Sequence, residues 1–249
     1  MEKHEQRIKE IIRESIADAG RQDLFREPLF AVSSAQDPRY QELKTIIGDW
    51  HSNPEELLSD ARSVLSVFVP FTQLVVESVK TQEPVSRIWA ESYVVVNNLF
   101  DQIGQAVVEY LEQQGYTARS IAATHTYDPV TLRSIWSHRS AAAIAGLGSF
   151  GVNRMLFTEK GSAGRYCSIL TSALLKVSTK PAPEYCLYHI DGSCLACLKV
   201  CPVDALTVDS LDKFTCNANL LTNADRLKHI GFSDVCGKCV AYCPVAYME

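Results

Sequence analysis

The sequence predicts an α+β protein in two parts: a sheet-and-helix portion over residues 1–180 and a small cysteine-rich portion over 181–249. Helical and strand-like periodicities follow one another through the first three quarters of the chain. The texture changes after Leu175, where VSTKPAPEY brings two prolines and the long periodic segments stop. None of the nine cysteines precedes Cys167, and eight crowd between Cys186 and Cys243.

Ile8, Ile11, Ile12 and Ile16 recur at helical spacing on a charged background, which predicts an amphipathic helix over 2–19 that stops at Gly20. Pro28, Pro38 and Pro54 punctuate the next stretch, with a short helix expected around Tyr40 to Ile47. Ser63 to Phe71 (SVLSVFVPF) is β-branched and apolar, a buried strand. Ser86 to Gln114 carries a long helical pattern closed by Gly115, and a short strand follows near Thr117 to Ala123. Residues 138–145 read as helix. Met155 to Thr158 and Tyr166 to Leu175 read as strands joined through a turn containing Gly161, which gives one sheet. Beyond it, only short elements are expected between the cysteines.

With 47% apolar and 21% charged residues in 249, the chain is neither disordered nor fibrous. Its 29 acidic and 24 basic residues give a net charge of -5, so no global basic field draws nucleic acid or anionic lipid. The N-terminus, MEKHEQRIKE, has no apolar signal core, and no later run reaches the roughly 18 apolar residues of a membrane helix. A cytoplasmic protein is expected, without nucleic-acid or membrane partners.

In such a chain a clustered set of cysteines points to metal ligation over disulfides. The tail contains a twofold echo, Cys194-Leu-Ala-Cys197-Leu-Lys-Val-Cys201-Pro202 and Cys236-Gly-Lys-Cys239-Val-Ala-Tyr-Cys243-Pro244. Each is C-x2-C-x3-C-P, the latter part of the bacterial ferredoxin run, in which the Cys before Pro ligates the other cluster. Two runs imply two [4Fe-4S] clusters. Asp191 and Ser233 stand where each run would have its first Cys, leaving Cys186 and Cys216 to complete eight thiolates. Crossing the Cys-Pro ligands puts one cluster on Cys186, Cys194, Cys197 and Cys243 and the other on Cys201, Cys216, Cys236 and Cys239. A pair of structural zinc sites would explain the C-x2-C knuckles but neither the x3-C-P extension nor its repetition. Cys167, inside an apolar strand, reads as a buried small hydrophobe.

Gly146, Gly148 and Gly151 match G-x-G-x-x-G, yet a helical segment precedes them and a strand-like MLFT follows, the reverse of a dinucleotide fold. They read as backbone that turns tightly or approaches a ligand closely. No G-x-x-x-x-G-K-[ST] run occurs, so nothing in the sequence points to ATP-driven chemistry.

The stretch SHRSAAAIAGLGSFGVNRMLFTEKGSAGRYCSILTSALL, then GSCLACLKVCPVDAL, FTCNANL and VCGKCVAYCPV, resembles epoxyqueuosine reductases and, more distantly, corrinoid reductive dehalogenases. SVLSVFVPF and SRIWAESYVVVNNLF extend the resemblance to about residues 60–249. It implies a nitroreductase-like α/β domain holding base-off cobalamin against a double-cluster ferredoxin-like module, with electrons passing from cluster to cobalt. Cobalamin contacts are then expected at Gly146, Gly148, Gly151, Asn153 and Arg165, and the cluster with Cys194 and Cys197, closest in sequence to the α/β domain, is expected to face cobalt.

The chain departs from that family in three places. The catalytic Asp expected seven residues before Arg139 is replaced by Leu132, with Asp128 out of register. The chain ends six residues past Cys243, so the helical extension that helps hold tRNA is not expected. The family's Cys at the place of Asp191 is missing, which is why Cys186 is recruited.

His138 and Arg139 open a helix; they can meet a corrin or substrate, although a solvated helix N-terminus is the plainer reading. Arg165 is similarly ambiguous. Tyr93, Tyr127 and His125 can donate a proton above cobalt, or be half-buried aromatics.

The function expected is a cobalamin-binding iron-sulfur oxidoreductase that takes electrons from a ferredoxin or flavodoxin. Its corrinoid would reduce a small-molecule substrate or reactivate a corrinoid protein. The alternatives are a cobalamin-free ferredoxin-type electron-transfer protein and an epoxyqueuosine reductase acting on tRNA.

Overall fold

A computed structural model describes residues 2–123, 126–178 and 182–249. In chain order it contains α1 (Glu2–Asp18), β1 (Leu29–Ser34), α2 (Arg39–Ile46), α3 (Pro54–Leu57), β2 (Ser63–Pro70), α4 (Gln73–Thr81), α5 (Arg87–Gln113) and β3 (Ala118–Ile121). The hairpin β4 (Tyr127–Asp128) and β5 (Arg133–Ser134) leads to α6 (His138–Ile144), β6 (Gly148–Phe150), β7 (Leu156–Thr158) and β8 (Gly164–Thr171). The tail holds α7 (Leu187–Asp191), α8 (Ala196–Lys199), α9 (Lys213–Arg226) and α10 (Lys238–Ala241).

The main sheet is antiparallel in the order β1-β2-β8-β3. Every residue of β2 is buried, because helices cover both faces. The period of two sorts its side chains. Leu65, Val67 and Val69 join α1, α4 and α5 in the largest core, whereas Val64 and Phe68 pack on the side of α2 and α6. The layout is therefore mixed α/β around an antiparallel sheet. Among the described residues no helix is long and apolar enough to cross a membrane.

The expected single sheet is instead one four-stranded sheet and two ribbons. β7 pairs with β6 and not, across the Gly161 turn, with β8. Gly161 is needed for another reason: at φ +96° it brings the chain against the Ala246 carbonyl, which accepts from the N–H groups of Ser162 and Ala163 at 3.1 and 3.0 Å. Val235, Val240, Ala241 and Ala246 of the tail contribute to the same large core as α5.

Local chemistry sets the helices that matter for the site. Ser86 caps α5 by accepting from the Trp89 N–H at 3.0 Å, and Gly115 ends the helix in the left-handed region at φ +84°. Asp212 caps α9, accepting from the N–H groups of Phe214 and Thr215. At 14 residues α9 is not the short element expected in the tail. Asn223 on α9 donates to the Val235 carbonyl at 2.9 Å, fixing the segment that leads into Cys236.

Candidate functional site

A cavity of about 680 Å³ opens where the start of α6, the start of β8, the β4–β5 hairpin and α9 meet. Ser137, His138 and Arg139 line it from α6, Arg165 and Tyr166 from β8, Tyr93 from α5, and Cys216, Asn217 and Leu220 from α9. The helical repeat places Cys216 and Leu220 on one side of α9, so both meet the same space.

His138 and Arg139 are not a solvated helix N-terminus. Each keeps some accessible surface because it lines the cavity, yet both sit deep enough that burial is the largest influence on their ionisation. The Nε2–H of His138 donates to the Ala122 carbonyl at 3.1 Å, which leaves Nδ1 to accept from the Ser168 hydroxyl at 2.9 Å. Burial holds its pKa down at about 4, with Arg165 and Arg139 adding to the shift, so the ring is neutral at physiological pH. Arg139 donates through Nη1 to the Arg154 carbonyl at 2.9 Å and to Met155 Sδ at 3.1 Å.

Arg165 lies over the Tyr93 ring, 4.4 Å from its centroid, and donates to Asn97 Oδ1 at 3.2 Å. The Tyr93 hydroxyl donates to Asp234 Oδ1 at 2.6 Å. Tyr127 also turns toward Asp234, and its pKa is raised by burial first and then by that carboxylate. The structure thus brings together Tyr93, Tyr127, His138, Arg139 and Arg165. His125 lies outside the described residues.

The eight tail cysteines are free thiols and fall into two groups. The Cys243 thiol is pushed up to about 12 by burial, and then by Cys194, Cys197 and Cys186, all four lining one small cleft. The Cys239 thiol is likewise pushed up to about 12 by burial and then by Cys236, Cys216, Cys197 and Cys201. Cys197 belongs to the first group, so the two groups adjoin. Asp191 is exposed and its carboxylate accepts from the Ser193 N–H at 2.8 Å, whereas Cys186 is buried in the cleft. Cys216 is the cysteine that lines the large cavity, whereas Cys194 and Cys197 line the cleft. Cys167 is buried in β8, and burial raises its thiol pKa, as suits a small hydrophobe.

The glycine run does not line the large cavity. A Cβ on Gly148 would overlap the Phe157 carbonyl, and one on Gly151 would overlap the Phe157 ring, so the close approach read from the sequence is made by β7 of the chain itself. Asn153 donates to the Cys239 carbonyl at 3.0 Å and Arg154 to the Val208 carbonyl at 2.8 Å. The segment after the glycines therefore clamps the cysteine loops.

Sequence reasoning missed four further groups on the cavity wall. Neither ring nitrogen of buried His51 reaches a partner in hydrogen-bond geometry, and the same holds for Trp136 Nε1 and Ser162 Oγ. Asp234 is the fourth, the sole carboxylate among the lining residues described. No spacing joins these positions; only the fold does.

An antiparallel sheet clad by helices on both faces, with a cysteine-bearing tail closing a polar cavity, defines an epoxyqueuosine reductase-like fold. An epoxyqueuosine reductase from Bacillus subtilis matches with a TM-score of 0.58 at 18% identity, over 96% of this chain and 66% of that one. The enzyme from Streptococcus thermophilus gives 0.56 at 15% identity, over 94% and 65%. A catabolic reductive dehalogenase in complex with 3-bromo-4-hydroxybenzoic acid gives 0.62 at 16% identity, over 89% and 30%. The chain thus spans just under two thirds of the epoxyqueuosine reductases and less than a third of the dehalogenase, and at these identities the likeness is one of fold. No family model and no curated protein matches the chain.

Proposed function

We propose that the chain is an iron-sulfur and corrinoid reductase that conducts electrons through two [4Fe-4S] clusters into the large cavity. The observation that carries this reading is the sorting of eight cysteines into two adjoining quartets, one of which contributes Cys216 to the cavity wall. Cys186, Cys194, Cys197 and Cys243 hold the outer cluster; Cys201, Cys216, Cys236 and Cys239 hold the inner one. The donor set fits such clusters. Crowded, buried thiols resist ionisation unless a cationic centre compensates them, and each Cys-Pro thiol sits with the other run's C-x2-C pair.

The cavity also fits a corrinoid. Buried His51, Trp136 and Ser162 present polar atoms without partners to it, which the amide-bearing rim of a corrin would satisfy. A corrinoid supplies a cobalt centre that accepts electrons one at a time. Around it, Arg165, Tyr93 and Asp234 form a rigid hydrogen-bonded wall, and the Tyr127 hydroxyl holds a proton at the cavity surface. In this reading, residues 1–180 are a nitroreductase-like domain and 181–249 a ferredoxin-like one, supplied by a ferredoxin or flavodoxin. Arg165 retains the corrinoid contact implied by the sequence, while the glycines support the fold that surrounds it.

The test is a titration of anaerobically reconstituted protein with hydroxocobalamin under a low-potential reductant. Saturable binding with a reduced corrinoid spectrum is expected. Intact clusters with an unchanged corrinoid spectrum would favour the cobalamin-free electron-transfer protein.

A further inference from the structure

We propose that the cavity contains an oxyanion site built on Arg139 and Arg165, which seats a carboxylate or phosphate group of the bound ligand. The inference rests on the reading above for the place of the ligand and adds its charge. Among the described residues, four cationic side chains line the cavity, Arg133, Arg139, Arg165 and Lys213, against one carboxylate, Asp234, in a chain whose net charge is -5. Two of the cations are occupied near the hairpin. Arg133 stacks over Trp50 with 4.0 Å to the ring centroid, and Lys213 donates to the Thr131 carbonyl at 2.8 Å.

The two deep arginines are different. Neither makes an ion pair among the described residues. Arg139 spends Nη1 on a carbonyl and a thioether, so its Nη2 and Nε hydrogens remain for a ligand. Arg165 directs Nη2 at Asn97 and, at 3.5 Å, at the Ala123 carbonyl, and the Asp234 carboxylate that acts on it already accepts from the Tyr93 hydroxyl. A guanidinium does not give up its proton, so a buried pair that repels itself calls for an anion between its forks. Ser162, 3% exposed and lining the same cavity, has a hydroxyl without a partner that can add a third donor.

The anion can come from a small acidic substrate or from the phosphodiester of the corrinoid's nucleotide loop. Cluster-loaded protein is titrated with inorganic phosphate and with acetate, alone and after loading with cobalamin or with cobinamide, which lacks that loop. Quenching of Trp50 and Trp136, both on the cavity wall, reports binding. Saturable binding is expected, weakened about tenfold or more in Arg139→Gln and Arg165→Gln. Persistence of phosphate binding beside cobalamin assigns the site to a substrate acid; displacement by cobalamin but not cobinamide assigns it to the nucleotide loop. Because a variant can fail to fold, phosphate protection of Arg139 and Arg165 from phenylglyoxal is mapped in the wild type. No saturable binding of either anion, no protection, or unchanged affinity in both folded variants would overturn the site. Anion binding by protein that ignores corrinoids would leave the site standing and remove the corrinoid.

Discussion

The Tyr93 hydroxyl donates to Asp234 Oδ1 at 2.6 Å, joining the long helix α5 to the residue two before Cys236. One hydrogen bond thus ties the cavity wall to the loop that leads into Cys236. Arg165 lies over the face of the same ring, so one phenol touches both a guanidinium and a carboxylate.

Tyr93→Phe keeps the ring under Arg165 and removes only the hydroxyl. Loss of a part-buried bond to a charged acceptor should lower stability by about 1–2 kcal/mol, read from the urea midpoint of anaerobic protein. A midpoint equal to that of the wild type would mean that solvent already satisfies Asp234.

Cys186 has no counterpart in the C-x2-C-x3-C-P echo, yet it is buried in the cleft with Cys194, Cys197 and Cys243. Intact protein should carry about eight iron and eight sulfide per chain, and Cys186→Ser should damage only the outer cluster, leaving at least about four iron. Two complete cubes in the variant would move the ligand role to another group.

Leu132 lies on the cavity wall in the left-handed region at φ 51° and occupies the register of the catalytic Asp implied by the family resemblance. Its side chain can neither donate nor accept a proton. The protein should therefore not turn over epoxyqueuosine in tRNA when given cobalamin and a strong reductant; product nucleoside detected by mass spectrometry would reverse that assignment.

What was legible in the sequence followed from repetition. The isoleucines of α1, the apolar run of β2 and the 3.6-residue pattern of α5 each repeat a period, and the two Cys-Pro runs repeat each other. β1 was hidden because its LFAVSS follows Pro28 and precedes Pro38, so the region read as irregular. α9 has too little apolar surface to show a period, although Asp212 followed by Thr215 was an available capping signal. The cavity was illegible because Trp50, Tyr93, His138, Arg165, Cys216 and Asp234 meet only in the folded chain. The glycine run shows a subtler limit: a missing β-carbon tells that something comes close, and here it is Phe157.

Gly148→Ala should therefore act on stability. Its β-carbon would press on the Phe157 backbone, which is held in the β6–β7 ribbon and cannot rotate away. A loss of about 1–3 kcal/mol or more is expected, with the folded fraction retaining wild-type corrinoid affinity. A stable variant with weakened corrinoid binding would restore the glycines to the ligand site.

His138 should make the fold sensitive to mild acid. Its folded pKa lies at about 4, held down chiefly by burial, against an unfolded value near 6.5. Below pH 6.5 the unfolded chain takes up a proton that the folded chain refuses, so the contribution to stability is full above that pH and is lost as the pH falls toward 4. Between pH 7.5 and 5.5 the wild type should lose about 1 kcal/mol relative to His138→Gln, which cannot titrate. The comparison with the variant isolates this ring from the carboxylates, whose changes are common to both proteins. Unfolding curves for the pair that run parallel across this interval would show that the ring titrates as freely when folded as when unfolded.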